Sequence, residues 1–131
     1  MLVKIKSVQE AFKKEGLDAN KVTVTGIPER HIDAVIAVAK LFVVNDHVQP
    51  EFNPDFENDN QWKYELWFRM GSSSGFGFSY YYFGGWDTYS TVGSRLVYQD
   101  RDTMRYVTDH PEFLELYKTL MVYKREVKKA K

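Results

Sequence analysis

Three groups of residues have types and spacings that could do chemistry. Asp55, Glu57 and Asp59 offer carboxylates at alternate positions, as a calcium loop does. An EF-hand has glycine at its sixth position and a bidentate glutamate at its twelfth, where this chain has Asn60 and Leu66, so the plain reading is a solvated acidic loop. Gly71-Ser72-Ser73-Ser74-Gly75 fits the G-x-S-x-G nucleophile elbow, which needs a helix after its turn. A strand pattern follows here, and a hairpin loop accounts for the run. His31, His47 and His110 stand apart without an H-x-x-x-H pair, and His110-Pro111-Glu112 is half a deaminase signature lacking its cysteines. The chain has no cysteine, which excludes disulfides, thiolate zinc sites and a cysteine nucleophile. Asp100 and Asp102 read as helix capping and not as an acid and base pair. No catalytic residue, metal ligand set or cofactor is expected, and the protein reads as non-enzymatic.

The other conspicuous feature is aromatic. Ser72 to Trp86 holds seven rings, and SGFGFSYY from Ser74 to Tyr81 matches five of eight positions of the strand motif on which RNA-recognition domains stack bases. The basic first position is Ser74 and the apolar sixth is Ser79, and the Lys21 to Thr25 segment lacks the aromatic of a partner strand. Eighteen basic residues balance eighteen acidic ones, so no overall field draws a polyanion. Single-stranded nucleic-acid binding is therefore the second reading, behind packing and protein contact. A sugar-binding or enzymatic use of Trp86, Tyr89 and the acidic loop is a third.

The elements that must position these residues follow from periodicity. Ser7 and Glu10 have capping-box spacing ahead of a helix through Val8, Ala11 and Phe12, and Gly16 can end it. Lys21 to Thr25 alternates like a strand. Gly26-Ile27-Pro28 leads into a second helix whose buried face would be Ile32, Val35, Ile36, Ala39 and Phe42, and Asn45 to Asn60 reads as a long ordered loop. From Trp62 to Met70 the even positions are apolar and the odd ones are Lys63, Glu65, Trp67 and Arg69. Pairing across the serine loop would set Phe68 opposite Phe78, Leu66 opposite Tyr80 and Tyr64 opposite Tyr82. Ser94 to Tyr98 would be a third antiparallel strand. Asp100 would cap a helix, and Asp109 with Glu112 repeats the capping-box spacing ahead of another helix lined by Phe113, Leu116, Tyr117 and Leu120. The expected fold is one α+β domain over residues 1–131. It has a central antiparallel sheet of three to four strands packed against N-terminal and C-terminal helices, with a basic tail over 124–131 frayed.

Charge is unevenly placed. Asp46, Glu51, Asp55, Glu57 and Asp59 lie in a stretch without Lys or Arg, whereas Lys124, Arg125, Lys128, Lys129 and Lys131 crowd the end of the chain. The longest apolar run, Ala34 to Val44, is interrupted by Lys40 and falls short of the roughly 20 residues that span a bilayer. No membrane partner is expected.

The order of several short motifs has a further meaning. Asn45 through Pro50, Gln61-Trp62-Lys63-Tyr64 with Trp67-Phe68, Gly75-Phe76, Gly93-Ser94-Arg95-Leu96, and Phe113 with Tyr117-Lys118 together resemble a family of small uncharacterised proteins from phages and mobile elements of gut Bacteroidetes bacteria. The similarity covers Ile27 to Tyr123 and departs at Met104-Arg105-Tyr106-Val107, where the family carries a small Ala-Tyr-Ala-Gly patch. It implies a phage or prophage origin, a place in the virion or the host cytoplasm, and no particular reaction. The functional expectation is a structural, assembly or protein-interaction module that contacts a partner protein or itself. Its surface would be Trp67, Tyr81, Phe83 and Arg95, joined by Trp86 and Tyr89 from the following loop, because aromatics and arginine dominate interface energetics.

Overall fold

A computed structural model describes residues 1–70, 77–84 and 90–126, with only the backbone at 69 and 77–84. The chain is mostly helical. The first helix, α1 (Val8–Lys14), is capped as its sequence requires: Ser7 Oγ accepts the Glu10 amide at 3.0 Å. The Glu10 carboxylate reaches one residue beyond the expected box and accepts the Lys6 amide at 2.8 Å. Gly16 supplies the positive φ, 72°, of the turn beyond the helix end.

No strand forms over Lys21 to Thr25. Asp18 accepts the Asn20 amide at 2.9 Å and starts a short 3-10 turn over Ala19–Lys21. Gln9 fastens that turn to α1 by accepting the Ala19 amide at 2.7 Å and donating to Asp18 at 3.0 Å. These local side-chain bonds offer the backbone an alternative to a ladder.

The second helix, α2 (Glu29–Val48), runs 20 residues, so it takes in the first residues of the predicted loop. Its sequence is apolar on more than one side, and the core selects Ala37, Leu41, Val44 and Val48. That stripe lies about half a turn around the helix from the predicted one. Ile32, Ile36, Ala39 and Phe42 are half-buried and Val35 is exposed.

The strands β1 (Lys63–Arg69) and β2 (Gly77–Gly84) pair antiparallel. Phe68 stands opposite Phe78 as predicted. A bulge at Ser79 then shifts the register by one, so that Leu66 faces Tyr81 and Tyr64 faces Phe83. The loop predicted over Gly71 to Gly75 lies outside the described residues.

The central sheet of three to four strands is not what forms: four α-helices carry the structure, and the described strands make a two-stranded ribbon. The reason is visible at the predicted third strand. Tyr98 alone bridges to Tyr64, with amide-to-carbonyl bonds of 3.1 and 2.8 Å. Beside that bridge, the backbone is bonded by α2 instead. Gln49 Nε2 donates to the Val97 carbonyl at 2.8 Å, its Oε1 accepts the Gln99 amide at 3.0 Å, and Asn45 Nδ2 donates to the Arg95 carbonyl at 3.0 Å. Two side-chain amides stand in for a neighbouring strand.

Asp100 caps α3 (Arg101–Asp109) by accepting the Thr103 amide at 2.8 Å. The last helix, α4 (Pro111–Met121), has Pro111 in its first turn and His110 at its cap, where no side chain bonds the helix amides. The predicted Asp109–Glu112 box is replaced by a long-range cap, in which Glu112 Oε1 accepts the Val8 amide of α1 at 2.7 Å. Among the described residues one buried cluster joins the four helices and β1, from Ile5 and Phe12 through Leu41 and Leu66 to Met104 and Phe113.

Truncating Gln49 to alanine leaves the buried Val97 carbonyl without its donor. The variant is expected to lose about 3 kcal/mol in urea unfolding, against about 1 kcal/mol for Asp100→Ala, which removes a helix cap. Equal losses from the two would show that the amides of α2 are not what holds the 95–99 segment.

Candidate functional site

The strand β1 inverts the usual placement of charge and hydrocarbon. Lys63 is only 4% exposed and Glu65 9%, whereas Trp67 is 46% exposed and the flanking Trp62 and Met70 are 43% and 47%. Both charges are sealed by loops that satisfy them. Lys63 Nζ donates to the carbonyls of Gln61 at 2.9 Å and Asn58 at 3.2 Å, and lies 5.3 Å from the Phe56 ring centroid. The Glu65 carboxylate accepts the hydroxyls of Ser90 at 2.6 Å and Thr91 at 3.2 Å. Period two is kept on the inner face, where Leu66 is buried and Tyr64 and Phe68 pack against the core.

The six residues expected to form a contact surface are not all brought together. Trp67 is exposed on β1, with Tyr80 at its register position. The bulge moves the backbone positions of Tyr81 and Phe83 opposite Leu66 and Tyr64. Trp86 and Tyr89 lie outside the described residues. Arg95 is exposed in a turn next to Gly93, with its guanidinium 5.3 Å from the centroid of Phe42 on α2. It borders a groove of about 450 Å³ between α2, Pro50 to Pro54 and Ser94. Phe42 was assigned to the core face of α2 in the sequence; its arginine contact needed the tertiary placement of the 93–95 turn.

The acidic loop holds itself by turns. Asp55 Oδ1 accepts the Glu57 amide at 2.9 Å, Asn58 Oδ1 accepts the Asn60 amide at 2.9 Å, and Gln61 bonds both Asp55 and Asn53. Among the described residues no three His, Asp or Glu side chains converge on a cation site. The histidines part company as well. His47 meets Glu15 at 2.6 Å, His31 lies beside the Tyr123 ring, and His110 stacks on Phe113 while its Nε2 bonds the Lys6 carbonyl. With Nε2 donating, the buried Nδ1 of His110 is left without a hydrogen-bond partner.

The buried polar centre missed in the sequence is a tyrosine pair on the α2 amide. Tyr98 donates to Asn45 Oδ1 at 2.9 Å, and its hydroxyl bonds that of Tyr117. The available signal was Asn45, one polar residue four positions beyond Leu41 in an apolar stripe. Burial raises both hydroxyls, Tyr98 well above its usual range and Tyr117 to about 12. Tyr106, which donates to the Ile5 carbonyl, is raised for the same reason, and Asp18 is lowered chiefly by the Asn20 amide. These shifts all lead away from neutrality, the opposite of what proton transfer at physiological pH requires.

No protein-family model, curated protein or solved structure matches the chain. No helix among the described residues is long and apolar enough to cross a membrane.

Raised tyrosine pKa values fix the sign of an alkaline effect. Below the unfolded value of about 10 both states are protonated and the full stability is present. Between about 10 and about 12 the unfolded chain ionises first, so stability should fall by about 1.4 kcal/mol per pH unit for Tyr117, with Tyr98 adding to it. Tyr117→Phe should flatten that slope in urea titrations from pH 8 to about 11 while costing about 1 kcal/mol at pH 8. An unchanged alkaline slope in the variant would show that Tyr117 is not held neutral by burial.

Proposed function

We propose that this chain is a non-enzymatic interaction or assembly module of phage or prophage type, and that the exposed aromatic edge around Trp67 is a contact surface. The observation that carries the reading is in β1, where Trp67 is 46% exposed at the same strand parity as a lysine and a glutamate that are folded inward, with half-exposed Trp62 and Met70 flanking the strand. Leaving two tryptophans in solvent forgoes burial worth about 2 kcal/mol each, which a partner surface would restore. Sealing Lys63 and Glu65 removes charge from the same edge, and charge is what the centres of protein interfaces lack. Against nucleic acid weighs the same fact, since the one lysine of β1 is turned into loop carbonyls and away from solvent. The phage setting is supported by the order of motifs from Asn45 to Lys118. The non-enzymatic part is supported by buried polar groups that bond one another and by pKa shifts away from neutrality.

A photoreactive phenylalanine analogue at position 67, expressed in the bacterial host, should give one dominant protein adduct on irradiation. The same analogue at exposed Lys13 should give none. Matching diffuse adducts at both positions would remove the aromatic edge as a contact surface, and capture of RNA or DNA at position 67 would favour nucleic-acid binding instead.

A further inference from the structure

Two exposed groups of charge lie at the two ends of α2, which at 1.5 Å per residue is about 30 Å long. At the N-terminal end, Arg30 and His31 line a cleft of about 490 Å³ with Tyr123, Lys124, Arg125 and Glu126. The rings of His31 and Tyr123 lie 5.2 Å apart and hold the segment after α4 against α2. Arg30, Lys124 and Arg125 are exposed; Glu126 is the carboxylate of the lining, and exposed Glu29 and Asp33 stand in the first turns of α2. Three further lysines follow in the sequence, at 128, 129 and 131. Tyr123, 47% exposed, is the apolar part of the cleft lining.

The C-terminal end of α2 is the opposite pole. Asp46 in its last turn, and Glu51, Asp55, Glu57 and Asp59 in the loop that leaves it, are all exposed, and the exposed Arg95, which shares a groove with Asp46, Pro50 and Pro54, is the cation beside them. Lys63, which follows the loop in sequence, points its ammonium at backbone carbonyls of the loop. The loop also exposes parts of Phe52 and Phe56, apolar groups suited to Tyr123 in the basic cleft. The α2 macrodipole has the same sense as the side chains, positive at its N-terminus and negative at its C-terminus. Eighteen positive and eighteen negative side chains leave no net charge to hold copies apart.

We propose that the chain associates head to tail, with the acidic loop 46–59 of one copy seated on the basic cleft of a second copy. The contact joins two different surfaces, so each copy keeps one free pole of each sign, and the product is a closed ring or an open filament according to the rotation per step. This deepens the assembly reading, on which it rests, by naming a second copy as the partner.

Sedimentation of the full chain tests it. In about 20 mM salt the average mass should rise with concentration above the 15.4 kDa of one chain, and in about 500 mM salt the association constant should fall at least tenfold. Two sets of charge reversals on exposed residues, Glu51→Lys and Glu57→Lys with Asp59→Lys, which leave the Asp55 turn intact, and Lys124→Glu with Arg125→Glu, should each abolish association alone. Mixed in equal amounts they should associate again, since each then offers the sign the other lacks; circular dichroism would confirm that both are folded.

A wild type that stays monomeric in low salt, or variants that fail to complement, would overturn the proposal. A labelled oligothymidylate that binds monomeric wild type but not Lys124→Glu/Arg125→Glu would overturn it in favour of nucleic acid at the cleft. A monomer that still gives a discrete adduct at position 67 would sink head-to-tail association and leave the aromatic edge standing. Salt-sensitive assembly with diffuse adducts at position 67 would support the association and remove the aromatic edge.

Discussion

The rest of the structure depends on two side-chain amides near the C-terminal end of α2. Asn45 and Gln49 are 3% and 6% exposed, and each amide both donates and accepts. Buried amides of this kind are costly unless every partner is present, and here the partners are the backbone of 95–99 and the Tyr98 hydroxyl. Through them α2 sets the position of Tyr98, which bridges to Tyr64 and so ties the ribbon to the helices. The same hydroxyl bonds Tyr117 and brings in α4. Leu66 of the ribbon lies in the same buried cluster as Leu41, Met104, Phe113 and Tyr117 of the helices.

Holding the 95–99 segment from the helix side has a consequence for the ribbon. Beyond the single bridge, β1 gains no continuous neighbour on that flank among the described residues, and loops cover Lys63 and Glu65. Lys63 and Glu65 then sit inside with hydrogen-bonded partners, Tyr64 and Phe68 pack on the core, and Trp62 and Trp67 are half exposed. The ribbon stays two-stranded among the described residues because the segment that would have extended it is bonded by Asn45 and Gln49.

The poles of α2 and the aromatic edge are different kinds of surface. The region around Trp67 exposes an aromatic ring beside the buried Lys63 and Glu65, and suits contacts whose strength is less sensitive to salt. The poles are charged and solvent-exposed, and suit contacts that salt weakens. A protein with both can join copies of itself through one and a different partner through the other.

The sequence by itself determined what is local. Ser7, Asp100 and Pro111 start helices where their side chains or rings satisfy or omit the first amides, and the apolar alternation of Tyr64, Leu66 and Phe68 produces a strand with an inner face. The acidic loop and the absence of cysteine were likewise legible, being matters of composition. Only the tertiary structure decided which stripe of α2 is buried, because Ile32, Val35 and Ile36 on one side and Ala37, Leu41 and Val44 on the other satisfy the same 3.6-residue period. It also decided the register of the ribbon, where one bulged residue at Ser79 changes the partner of every position beyond it. The partners of Ser94 to Tyr98 and the cap on Val8 come from residues some 50 and 104 positions away, and spacing along a chain carries no information about amides and carboxylates that distant.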